Sequence, residues 1–214
     1  MKTVVAVGAL ALCIVFQLPL SEAADWSRIV RSLQVSTVPI ACSAHKIHIC
    51  TAFSINYDQG LYMTARHCTQ PFEGNDLEKG APNAIEEFPT FNGKPLFLVF
   101  ESEALDLAIF KSDVKTLALR YRTKPIDIGQ AVGAYGYGYG GATPIFRVGV
   151  VSVFQRDERG SEWMLLDTAL VRGMSGGPIV DEDGRVVGVN KATDQASGTS
   201  LSVTQIKTAT QFWE

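Results

Sequence analysis

The sequence lacks a charge excess of either sign: 19 basic residues stand against 22 acidic ones, for a net charge of −3. With no cationic surplus to neutralise phosphates, nucleic acid is not an expected partner. Long apolar runs are also scarce, and the one present, Val4–Leu20, is interrupted by Gln17. It is shorter than the ~20 residues of a spanning helix. Charged side chains make up only 19% of the chain, while 19 glycines and nine prolines punctuate it, which argues against both a disordered chain and a helical bundle. Histidine is rare as well. The three present, His45, His48 and His67, are the whole supply of imidazole bases.

The N-terminal run follows Met1-Lys2 and ends at Ser21-Glu22-Ala23, with small residues at 21 and 23. A short positive start, an apolar stretch and a small-residue exit form a secretory signal peptide, with cleavage expected after Ala23. Cys13 follows Leu12 rather than a small residue, a poor fit to a lipoprotein site. Residues 24–214 should then be exported, soluble and without stable membrane insertion, in a compartment where disulfides persist.

A chain of 214 residues suits one domain or two small subdomains sharing a cleft. Short apolar or alternating runs predict strands near Lys46–Phe53, Leu61–Thr64, Pro95–Glu101, Leu107–Lys111, Ala131–Tyr135, Ile145–Phe154, Trp163–Thr168, Gly177–Val180 and Arg185–Asn190. Turn signals at Asp58-Gln59-Gly60, Asn92-Gly93, Gly140-Gly141 and Asp183-Gly184 separate them. The pattern is all-β, a sandwich or barrels. Helix is minor; the best candidate is the tail, where Ile206, Ala209 and Trp213 share a helical face. The stretch Ala134–Gly141 reads as a loop, since alternating glycines weaken a strand.

Three separated segments carry chemistry. In Gly173-Met174-Ser175-Gly176-Gly177-Pro178, glycines permit a tight turn that bares the serine hydroxyl and lets a substrate backbone approach. Such a turn can also aim the Gly173 and Ser175 amides at one point as an oxyanion hole. Alone, the segment also describes a glycine-rich turn with an idle serine. A serine nucleophile needs a base, and the base needs an orienting partner. His67 ends the apolar run Leu61–Ala65, whereas His45 and His48 read as surface or packing residues. Asp106 interrupts the apolar run Ala104–Phe110, where a buried carboxylate is costly unless a specific partner holds it. An edge strand with its carboxylate in solvent is the other reading of that position.

Taken in chain order, His67 in TARHC, Asp106 in ALDLAIF and Ser175 in GMSGGP resemble the trypsin-like, chymotrypsin-fold serine proteases. The resemblance implies two six-stranded antiparallel β-barrels, at 24–116 carrying the histidine and aspartate and at 117–214 carrying the serine. It implies an endopeptidase site in the cleft between them, with protein or peptide substrates and no cofactor. Ser175 would attack the peptide carbonyl, His67 would move the proton and Asp106 would fix the imidazole. The resemblance also suggests a Cys50–Cys68 disulfide closing the histidine loop, worth roughly 3 kcal/mol by loop closure. Cys42 is then left over. A metal site from Cys42, His45, His48 and Cys50 is the rival, disfavoured by irregular spacing, so no metal is expected.

Departures from digestive trypsins sharpen the expectation. Met174 stands where their zymogen-switch aspartate precedes the serine, and Arg31 stands where glycine follows an activation site like Arg28-Ile29-Val30. No trypsin-type activation is expected. The segments Asp167–Ser175 and Arg185–Asn190 are closer in style to the HtrA/Deg proteases, though the sequence to Glu214 leaves no room for their PDZ domain. The offset at which trypsins carry their basic-selective aspartate lands on Ala169, followed by Leu170, which favours a small or medium apolar residue before the scissile bond. Lys191, just past the strand walling the expected pocket, leaves an acidic preference open. A protease-fold binding protein without activity is the alternative function. An α/β-hydrolase esterase is excluded, because its histidine follows the serine and no histidine follows Ser175. The oligomeric state is not set by the sequence.

Overall fold

The computed structural model describes residues 24–41, 49–69, 90–139, 143–191 and 198–202. The expected signal segment 1–23, His45, His48, Cys42 and the expected tail helix lie outside the described residues.

A helix the sequence reading did not anticipate comes first. In α1 (Trp26–Ser36) the Asp25 side chain accepts from the Arg28 amide at 3.0 Å, occupying one of the free donors of the first turn. Trp26, Ile29, Val30 and Leu33 recur at helical spacing and form its inner face. The chain turns extended at Thr37, two residues before Pro39, which disfavours helix at Val38. Arg28-Ile29-Val30 is therefore a stretch of capped helix.

Seven strands make the first sheet: β1 (Thr37–Ala41), β2 (Ile49–Asn56), β3 (Leu61–Ala65), β4 (Thr90–Phe91), β5 (Lys94–Pro95), β6 (Phe97–Ser102) and β7 (Leu107–Lys111). Their order is β5-β4-β1-β2-β3-β7-β6. The outermost members, β5 and β6, are separated in the chain only by Leu96, which is buried. One interrupted strand thus supplies both ends of the order. The sheet must curl round on itself, which recovers the six-stranded lobe expected from the resemblance. Asn92 and Gly93, both at positive φ, form the tight β4–β5 hairpin.

The second unit is a closed antiparallel barrel of β8 (Ala131–Gly138), β9 (Thr143–Arg156), β10 (Glu162–Leu166), β11 (Pro178–Val180), β12 (Val186–Lys191) and β13 (Gly198–Ser202), in the order β10-β13-β12-β11-β8-β9. The long β9 pairs with β8 through Thr143–Val150 and with β10 through Val151–Arg156. Here the loop expected at 134–141 is corrected: through Gly138 it is strand, in unbroken register with β9. The glycines mark close approach instead of a break. A Cβ on Gly136 would press on the Met174 backbone, and one on Gly138 on the Ile145 and Val171 side chains.

Three apolar clusters hold this arrangement. One fills the first lobe around Ile40, Tyr62 and Phe110, and another fills the barrel around Val132, Met164 and Ile179. The third joins them: Ile29 and Leu33 of α1 pack with Phe53 and Leu107 of the first sheet and Val180 and Val186 of the barrel.

Candidate active site

The site begins with strand register. Pairing of β3 with β7 sets Ala65 opposite Leu107, so one further step brings residues 66 and 106 together at the same end. The Arg66 amide donates to the Asp106 carbonyl at 2.9 Å. His67 follows in a short 3-10 turn, Arg66–Thr69. Asp106 sits at φ 49°, a left-handed conformation that aspartate tolerates better than most residues. Its carboxylate then meets His67 twice. The His67 amide donates to Oδ1 at 2.9 Å, and His67 Nδ1 lies 2.8 Å from Oδ2. With Nδ1 donating, the tautomer leaves Nε2 as the free base.

The Asp106 side chain is only 14% exposed. Burial alone pushes its carboxyl up. The hydrogen bonds and charge from His67, with the Lys191 charge added, outweigh burial and hold it below the usual carboxylate range.

The serine turn is built by contacts from both lobes. Gly173 and Gly176 take φ of 100° and 81°, conformations costly for any residue with a Cβ. A Cβ on Gly176 would also strike Thr64 Oγ1 and the Thr51 carbonyl. The Gly176 amide donates to the Asn190 carbonyl at 2.8 Å, and the Asn190 amide donates to the Gly177 carbonyl at 2.8 Å. Thr51, from β2 of the other lobe, donates its amide to the Ser175 carbonyl at 2.8 Å and its hydroxyl to the Gly173 carbonyl at 2.8 Å. Sequence reading missed Thr51, because an isolated threonine in an apolar strand carries no signal of a partner 122 residues away.

The Gly173, Ser175 and Gly177 carbonyls are thus engaged. Among the described residues, the Gly173 and Ser175 amides donate to no protein acceptor, which is the condition an oxyanion hole requires. Ser175 is buried, at 6% exposure. The Cys50–Cys68 disulfide is formed, with Cα atoms 6.0 Å apart. Its Cys68 sulfur lies 3.7 Å from the Ser175 carbonyl, so the histidine turn packs against the serine turn. Cys50, Cys68 and His67 bring potential metal donors within 4.8 Å of one another, but both sulfurs are consumed by the disulfide and are not thiolates.

The structure therefore brings His67 and Asp106 into direct contact and sets Ser175 beside their turn. Among the described residues no hydrogen bond joins Ser175 Oγ to His67 Nε2. Of the expected pocket residues, Leu170 packs in the barrel core with Met174 and Ile179, and Ala169 is half-buried beside it. Lys191 reaches the Asp106 carboxylate, with Nζ 3.7 Å from Oδ2.

Residues 50–189 match the family model of the trypsin-like peptidase domain. No curated protein sequence matches the chain. Among solved structures, the chain is similar to the HtrA-type protease AlgW with a tripeptide, at 22% identity and TM-score 0.67, covering 88% of this chain and 64% of that one. It is similar to the active form of the Rv3671c protease from M. tuberculosis, at 21% identity and TM-score 0.64, covering 88% and 87% of the two chains. The serine endoprotease from Yersinia pestis is 19% identical with TM-score 0.65, covering 92% of this chain and 68% of that one. These likenesses show a shared two-lobed, chymotrypsin-like fold, and the chain spans just under two thirds of the AlgW chain.

Proposed function

The chain belongs to the trypsin-like peptidase domain family, a family of serine endopeptidases, and from that premise we propose that it hydrolyses peptide bonds outside the cytoplasm through Ser175, His67 and Asp106. The observation that carries this reading is the doubly bonded His67–Asp106 pair. It orients the imidazole with Nε2 free, beside a serine turn whose Gly173 and Ser175 amides are unengaged among the described residues.

In the reaction, Ser175 Oγ adds to the scissile carbonyl as His67 Nε2 takes its proton. The charge that develops on the carbonyl oxygen is met by the Gly173 and Ser175 amides. His67 returns the proton to the departing amine, leaving an ester on Ser175. Water, deprotonated by the same nitrogen, hydrolyses that ester and restores the serine. Asp106 stays ionised throughout and stabilises the imidazolium that forms in each half. Its depressed carboxyl is suited to that role.

Residues 24–116 and 117–214 would be the two lobes, and 1–23 the removed export signal, placing the enzyme in the periplasm or the extracellular space. No helix among the described residues is long and apolar enough to cross a membrane. For specificity, Ala169 in place of an aspartate favours a small or medium apolar residue before the scissile bond. A peptide-library profile led by Ala, Val or Leu is expected there. One led by Arg or Lys would overturn the assignment.

The unmade Ser175–His67 hydrogen bond favours the second reading, a binding protein without activity. Catalytic hydrogen bonds commonly tighten only when substrate binds, so a covalent probe decides between the two. A fluorophosphonate should label the protein, and peptide mapping should place the adduct on Ser175. Absence of labelling, or an adduct elsewhere, would sink the protease mechanism.

A further inference from the structure

The aspartate of the proposed triad is contacted by a cation that the mechanism does not use. Lys191 closes β12 of the barrel, next to Asn190, whose backbone clamps the serine turn. Its ammonium crosses to the other lobe and lies 3.7 Å from Asp106 Oδ2, the oxygen that also faces His67 Nδ1. It is held over the Trp163 ring at 4.2 Å from the centroid, a cation–π geometry. The Trp163 indole donates to Asp157 Oδ2 at 3.0 Å. The hairpin carrying Asp157 also grips the loop that presents Asp106, since Ser161 Oγ donates to the Ala104 carbonyl at 2.8 Å and Arg159 meets Glu103 at 3.3 Å.

We propose that Lys191 is a positioning residue of the triad: aligned by Trp163, it holds the Asp106 carboxylate from the opposite lobe. This rests on the reading of His67 and Asp106 as catalytic. Other charges near the loop are engaged elsewhere. Arg66 pairs with Glu101 at 3.3 Å and Glu103 at 4.0 Å, and Glu103 also meets Arg159. Lys191 is the cation set against the carboxylate itself, on a side chain only 34% exposed, where solvent screens it less than at the surface. An ammonium engaged by Asp106 and Trp163 serves the triad in preference to an acidic substrate side chain.

The test is the rate of fluorophosphonate labelling of Ser175, with kcat and KM for casein cleavage measured in parallel. In Lys191→Met labelling and cleavage should both fall about tenfold as the carboxylate loses its anchor, in kcat and not in KM. Lys191→Arg should restore most of the wild-type kcat, and adding Trp163→Leu to Lys191→Met should cost little more, since the pair acts as one unit. If Lys191→Met does not fold, Lys191→Gln replaces it. A kcat that stays at the wild-type value in a folded neutral variant, or a change confined to KM, would overturn the assignment and leave the triad standing. Label accepted equally well by Ser175→Ala would instead overturn the triad itself.

Discussion

Replacing Ser175 with alanine is expected to remove casein hydrolysis, lowering kcat by at least about a thousandfold with no loss of fold. The two halves of that expectation have separate causes. Among the described residues the Ser175 hydroxyl makes no hydrogen bond, so its deletion orphans no buried donor or acceptor. The backbone that shapes the turn is untouched, because Thr51 and Asn190 grip carbonyls and amides that alanine also has. On the proposed mechanism the chemistry has no such reserve: without Oγ no acyl-enzyme forms, and what remains is binding and the oxyanion hole. Fluorescein-casein cleavage and a thermal midpoint, measured on the same preparations, check both halves. Activity within tenfold of the wild type would mean that another residue is the nucleophile.

Asp106→Asn should lower kcat by a factor of about 10⁴ at neutral pH. Asparagine can turn its amide NH₂ toward Nδ1 and stabilise the tautomer whose Nε2 carries the proton, the wrong one for a base. It also leaves Lys191 facing a neutral group at 3.7 Å. A second signature follows from the depressed carboxyl. A group whose native value lies below its unfolded one adds stability above the unfolded value. That stability is lost as pH falls through the native one. The wild type should therefore be the more stable protein near neutrality. Its advantage in thermal midpoint over Asp106→Asn should shrink below about pH 4. A gap that stays constant down to strongly acidic pH would show that the carboxylate is not held as described.

What could be read in the sequence is what the chain encodes locally. Asp58–Gly60, Asn92-Gly93 and Asp183-Gly184 announced their turns, and Gly60, Gly93 and Gly184 all take positive φ. The serine and histidine turns were legible because glycine spacing and the end of an apolar strand are short-range patterns. The Cys50–Cys68 bond came from the family resemblance, and the structure forms it. Long-range dependence was invisible. Gly136 and Gly138 in β8 were taken for loop glycines, since only the fold shows what occupies the space where their side chains would be. Helix α1 was missed because its apolar face is short, and its burial comes from two sheets more than from helix propensity. Lys191 was expected just past the strand walling the pocket, where it left an acidic preference open; no sequence pattern reports that its ammonium also lies 3.7 Å from the Asp106 carboxylate.

Thr51 carries a consequence of its own. Its amide and hydroxyl bind the carbonyls of Ser175 and Gly173, its hydroxyl oxygen accepts from the Tyr137 amide at 2.9 Å, and its carbonyl accepts from Thr64 at 2.7 Å. The serine turn thus takes its conformation from a strand belonging to the opposite lobe, while α1 wedges into the apolar cluster they share. Separating the lobes would strip that turn of two acceptor bonds and open a core at once. The boundary between the lobes is accordingly a seam within one cooperative unit and not a hinge between two. On the proposed endopeptidase reading it has little freedom to gape, so chain that is already extended, or locally unfolded, is the substrate form to expect.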